Sequence, residues 1–92
     1  MTYIVKIKPK ATKFLKKITT AEKEKIEQRI AELAINPRNE NVIKLTNKET
    51  YRARQGDYRI FFTIQDDILY VEVIEIKHRQ QSYKQWGKYG HD

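Results

Sequence analysis

Three arginines, Arg52, Arg54 and Arg59, bracket a Gly56-Asp57 pair in the run Tyr51 to Arg59. Gly-Asp between two β-rich runs is a tight-turn signal. With a two-residue turn, Gln55 pairs with Tyr58, Arg54 with Arg59, Ala53 with Ile60 and Arg52 with Phe61. Opposed residues share a sheet face, as do alternate residues along a strand. The three arginines therefore project from one face, while Tyr58, Ile60, Phe62 and Ile64 take the other. Opposed like charges cost about 0.2 to 1 kcal/mol at exposed positions. A phosphate would remove that cost, because guanidinium forks match its oxygens in a bidentate way. Two readings stand: an anion site, or a solvated sheet face whose arginines pair partly with Asp57 and Glu72.

More basic and aromatic residues follow the last β-rich run: Lys77, His78, Arg79, Tyr83 and Trp86. On a helix, residues 79, 83 and 86 share one side. Rings beside arginines suit single-stranded RNA, whose exposed bases stack on them. Equally, Tyr83 and Trp86 could pack a short helix onto the sheet. Cysteine is absent and the only histidines are His78 and His91. Thiol nucleophiles, disulfides and thiolate metal sites are excluded, and neither a metal nor a cofactor is expected.

The elements that must position these residues follow from periodicity. Tyr3, Val5 and Ile7 alternate with Ile4, Lys6 and Lys8 as in a half-buried edge strand. Pro9 opens a helix whose apolar stripe is Ala11, Phe14, Leu15 and Ile18. Thr19 and Glu22 have capping-box spacing for a second helix carrying Ile26, Ile30, Leu33 and Ala34, which stops at Asn36-Pro37. Residues 38–50 read as a loop with a short extended piece over 42–45. After the arginine hairpin, a turn at Asp66-Asp67 leads into a near-continuous apolar run from Ile68 to Ile76, as expected of a central strand. Residues 79–86 read as a short helix and Gly87 onward as a frayed tail. The expectation is one α+β domain over 1–92: an N-terminal strand, a helical hairpin on one face of an antiparallel-rich sheet in the order β-α-α-β-β-β, and a short C-terminal helix.

The 92 residues carry 19 basic and 12 acidic side chains, for a net charge of +7. Six of those charges are Lys6, Lys8, Lys10, Lys13, Lys16 and Lys17, in a stretch with no acid. They suit diffuse attraction to a polyanion such as ribosomal RNA, contact with an acidic partner segment, or simple solubility. No apolar block resembles a signal peptide or a membrane span, so a chain that neither spans a membrane nor is secreted is expected.

Tyr51-Arg52-Ala53-Arg54, Gly56-Asp57-Tyr58-Arg59-Ile60, and Lys77-His78-Arg79 with Tyr83 resemble the RelE/ParE toxin superfamily of toxin–antitoxin pairs. The resemblance covers nearly the whole chain, and the Tyr-Arg-Ala-Arg wording is that of archaeal-type members. It implies ribosome-dependent mRNA cleavage in the A site without a metal: the 2′-hydroxyl attacks the adjacent phosphate while basic side chains stabilise the pentacovalent transition state. By that resemblance Arg52, Arg54, Arg59 and Arg79 line the phosphate, Tyr83 stacks on a base or assists proton transfer, and His78 is a further proton-transfer candidate. Well-known bacterial members have lysine at the first two positions; arginine holds its proton, so Arg52 and Arg54 are poor general bases. The implied partners are an antitoxin that shields the arginine face, the ribosome and mRNA, in the cytoplasm. ParE-like members that bind a protein such as DNA gyrase, or a degenerate RNA-binding member, are the alternatives within the superfamily. The apolar residues Phe61, Ile74 and Ile76 are expected on the arginine side of the sheet.

Overall fold

The computed structural model describes residues 2–80. Five strands form one sheet: β1 (Ile4–Ile7), β2 (Val42–Lys44), β3 (Tyr51–Gln55), β4 (Tyr58–Gln65) and β5 (Tyr70–His78). Their order across the sheet is β1-β5-β4-β3-β2, with β1 parallel to β5 and every other pairing antiparallel. Helices α1 (Pro9–Leu15) and α2 (Thr20–Ile35) lie between β1 and β2 in the chain. The expected α+β architecture is the observed one. The C-terminal helix expected over 79–86 lies largely outside the described residues; the backbone is helical at Arg79 and Gln80.

Local chemistry accounts for each boundary. Pro9 sits in the first turn of α1, where its missing N–H costs nothing. Thr19 caps α2 by accepting the Glu22 N–H at 3.2 Å. The helix stops at Ile35, two residues before Pro37. Gly56 has φ +57 and Asp57 does not share the left-handed region, so the positive angle falls on the first turn residue alone, the pattern of a type II′ hairpin.

The core lies between the helices and one sheet face. Ala11 and Leu15 of α1 and Ile26, Ile30 and Leu33 of α2 meet Ala53, Ile60, Phe62, Val71, Val73 and Ile76 of the sheet. The sheet's other face carries the arginines. Its phase in β5 is set by a bulge: Phe61 pairs with Glu75 but Phe62 with Val73, leaving Ile74 as an extra residue. Without it, Val71, Val73, Glu75 and Lys77 would share one face. With it, Val71, Val73 and Ile76 face the helices, while Glu75 and Lys77 turn to the arginine side. The sequence expectation for Ile76 is corrected accordingly: it pairs with Ile60 in the core, whereas Phe61 and Ile74 do lie on the arginine side.

Candidate functional site

The β3–β4 register is Gln55↔Tyr58, Arg54↔Arg59, Ala53↔Ile60 and Arg52↔Phe61, as the two-residue turn requires. Arg52, Arg54 and Arg59 therefore share the face away from the helices. Lys77, brought round by the bulge, stands opposite Arg59 on the next strand and extends this row. A solvated face does not describe it. Arg52 and Arg59 are each 5% exposed and Lys77 is 7% exposed; Arg54 alone of the row is exposed. The Arg54 guanidinium makes no ion pair or hydrogen bond among the described residues.

Acids on this face are engaged with lysines. Glu72 lies 3.9 Å from Lys8, and Glu75 lies 2.6 Å from Lys10 and 3.7 Å from Lys77. Asp57, at the hairpin turn, lies 3.8 Å from the Arg79 guanidinium. The Asp57 carbonyl also accepts the Arg79 N–H at 2.6 Å, tying the end of β5 to the turn between Arg54 and Arg59. Beside the row is a cleft of about 160 Å³ lined by Leu45, Lys48, Phe61, Ile74, Glu75 and Lys77. Leu45 is buried beneath this cleft, apart from the main core.

The six N-terminal lysines divide. Lys6 and Lys8 lie on the arginine side of β1, where Lys6 is opposite Glu72. Lys13, Lys16 and Lys17 are exposed along and just after α1. His78 stands elsewhere: it pairs with Tyr58, on the helix side, with ring centroids 5.4 Å apart at an interplanar angle of 89°. Its Nδ1 accepts the Gln80 N–H at 3.2 Å. This placement separates His78 from the arginines that it was expected to serve. Tyr83 and Trp86 lie outside the described residues.

Sequence reasoning missed three features. Lys77 joins the row only because of the bulge, which a run of β-branched residues conceals. The cleft is closed by the 45–50 loop, which no pattern placed. Glu22, expected only as a capping residue, also accepts the Tyr58 hydroxyl at 2.7 Å. That bond, with the Thr19 hydroxyl at 2.9 Å, holds the Glu22 carboxyl below its usual range. Burial and then the Glu22 bond push the Tyr58 phenol up to about 12.

The family model for the ParE toxin of type II toxin–antitoxin systems, parDE, matches residues 5–83. Among curated proteins none matches significantly by sequence. Among solved structures, the archaeal RelE–RelB complex from Pyrococcus horikoshii is similar at 30% identity and a TM-score of 0.76, covering 86% of this chain and 97% of that one. The toxin–antitoxin complex RelBE2 from Mycobacterium tuberculosis superposes with a TM-score of 0.77 at 23% identity, covering 86% and 100% of the two chains. The intact Escherichia coli RelBE complex gives a TM-score of 0.71 at 24% identity, covering 83% and 95%.

Proposed function

Because the chain belongs to the ParE toxin family of type II toxin–antitoxin systems, within the RelE/ParE superfamily, we propose that it is a toxin that cleaves mRNA on the ribosome. The observation that carries this reading is the row Arg52, Arg54, Arg59 and Lys77 on one sheet face, with Arg79 tied to the same hairpin turn. Arg54 opposes Arg59 and Arg59 opposes Lys77 on adjacent strands, and guanidinium forks set side by side in this way suit a doubly coordinated anion.

The 2′-hydroxyl attacks the adjacent phosphate, the oxygen of the following nucleotide leaves, and an extra negative charge develops on the phosphoryl oxygens at the transition state. Arg54 and Arg59, apposed at the hairpin tip, donate to those oxygens, with Arg79 approaching from the end of β5. Donors fixed in advance where charge develops are often the largest catalytic contribution. No arginine accepts the 2′-hydroxyl proton, since a guanidinium keeps its own. Proton removal falls to Tyr83, to solvent or to the ribosome, and much of the rate comes from alignment of the message. No metal is needed in this scheme. The exposed Lys13, Lys16 and Lys17 supply salt-sensitive attraction to RNA backbone. An antitoxin covers the arginine face when the toxin is silent, and the site of action places the protein in the cytoplasm.

Mapping mRNA ends after expression of Arg54→Ala and Arg59→Ala tests the reading: each loses about a hundred- to a thousand-fold in cleavage rate. Parental cleavage by both variants would refute the site. The family model's own name favours a second reading, a toxin that binds a protein target such as DNA gyrase. DNA-damage signalling without message cleavage after induction selects that reading instead.

A further inference from the structure

Gln55 and Tyr58 form the last cross-strand pair before the Gly56-Asp57 turn, and their side chains leave the sheet opposite to Arg54 and Arg59. One helix captures both. Arg29 donates to Gln55 Oε1 from Nε at 3.2 Å and from Nη2 at 3.0 Å. The Tyr58 hydroxyl donates to Glu22 Oε2 at 2.7 Å. Glu22 and Arg29 lie two helical turns apart on α2 and so share a side. Each is steadied by a neighbour on that helix. Thr19 donates to the other Glu22 oxygen at 2.9 Å, and Arg29 Nη1 donates to Glu32 at 2.9 Å.

The hairpin tip needs such restraint. The fully buried residues of these strands, Ala53, Ile60 and Phe62, lie further from the turn. At the tip itself Arg54 opposes Arg59, a like-charge pair that favours splaying of the strand ends.

We propose that Glu22 and Arg29, acting through Tyr58 and Gln55, are positioning residues that clamp the β3–β4 tip to α2 and hold Arg54 and Arg59 at the separation a single phosphodiester requires. The clamp works from behind the sheet, and none of its four residues touches RNA. Its positioning role rests on the cleavage reading above; its existence does not.

The full-length toxin carrying Tyr58→Phe and Arg29→Ala, singly and together, separates the two. Amide hydrogen exchange reads the tip, and cleavage of message on programmed ribosomes reads kcat and KM. In the double variant, amides over 54–59 exchange about ten-fold faster or more, while those of Phe62 and Val73 keep parental rates. The same variant loses about ten- to a hundred-fold in kcat with KM within about two-fold, as misplacement of catalytic groups predicts. Glu22→Gln keeps an acceptor for the Tyr58 hydroxyl and stays near parental in both measurements. Arg29→Ala, at a partly exposed position, decides the same questions should the double variant not fold. Unchanged tip exchange overturns the clamp. Faster tip exchange with parental kcat overturns its positioning role. A parent that leaves ribosome-bound message intact removes the cleavage reading, and the positioning role with it, while exchange still decides whether the clamp exists.

Discussion

Arg59 and Lys77 face each other across β4 and β5, at 5% and 7% exposure. Opposed cations of such low exposure interact more strongly than the same pair in water. A dianion bridging the row would relieve that interaction and lower the free energy of the folded state alone.

Inorganic phosphate, at ionic strength matched with chloride, therefore raises the melting temperature of the parent. Saturation to about a hundred times Kd corresponds to about 2.7 kcal/mol. In Arg59→Gln the shift falls to a small fraction of the parental one. Equal shifts in the two proteins, followed by differential scanning fluorimetry, would remove the row as an anion site.

Acid should weaken a second cluster. The Arg38 fork donates to Asp66 at 2.9 and 2.8 Å and the Tyr3 hydroxyl donates at 2.6 Å, holding the Asp66 carboxyl at about 2. The folded value lies below the unfolded one, so this stabilisation is present above about pH 4 and is lost as the pH falls toward 2. Asp66→Asn removes that part of the acid dependence. Titrations by circular dichroism from pH 6 to 2 in parent and variant check it, and superimposable curves count against the cluster.

Alkali acts with the opposite sign on Tyr58. Its phenol is pushed up to about 12, so its stabilisation is intact below about pH 10 and is lost as the pH rises through the folded value. Tyr3 and Tyr70 are raised as well, the first by its bond to Asp66 and the second by burial. Phenolate absorbance against pH shows a late phase, and Tyr58→Phe subtracts the latest part of it. A variant whose late phase keeps its full amplitude argues against the part-buried Tyr58–Glu22 bond.

Gly56 is a conformational requirement rather than a packing one. A Cβ there meets nothing within 4 Å, but φ is +57. Gly56→Ala should cost about 1 to 2 kcal/mol through backbone strain alone, and Gly56→Asn less. Denaturant unfolding of the two variants measures the difference; equal stabilities would mean that the turn relaxes to another type.

What was legible in the sequence was what local chemistry decides. Gly56-Asp57 set the hairpin, and the hairpin set the faces of Arg52, Arg54 and Arg59. Pro9, Thr19 and Asn36-Pro37 placed the helix ends. What escaped depends on contacts between distant segments. His78 was grouped with the basic residues because it adjoins Lys77 and Arg79 in the chain, yet it ends β5 and points to the face opposite that of its strand neighbour Lys77. Tyr58 was legible as a helix-facing residue, but its bond to Glu22 joins residues 36 apart in sequence. Lys77 was hidden because Val73, Ile74 and Ile76 are all apolar, so a change of phase within that run leaves no mark in the pattern.

That change of phase governs how β5 can vary. A substitution alters the row one group at a time and leaves its layout alone. Straightening the bulge so that Ile74 took a place in the ladder would do something else: every position beyond it would exchange faces at once, sending Glu75 and Lys77 into the apolar layer and Ile76 and His78 out to the arginines, whereas removal of Ile74 itself would leave Phe61 opposite Glu75 and each face as it is. The layout of the row thus hangs on where the strand accommodates its extra residue, and a change that lets Ile74 pair would scramble the row more than the loss of any one of its groups.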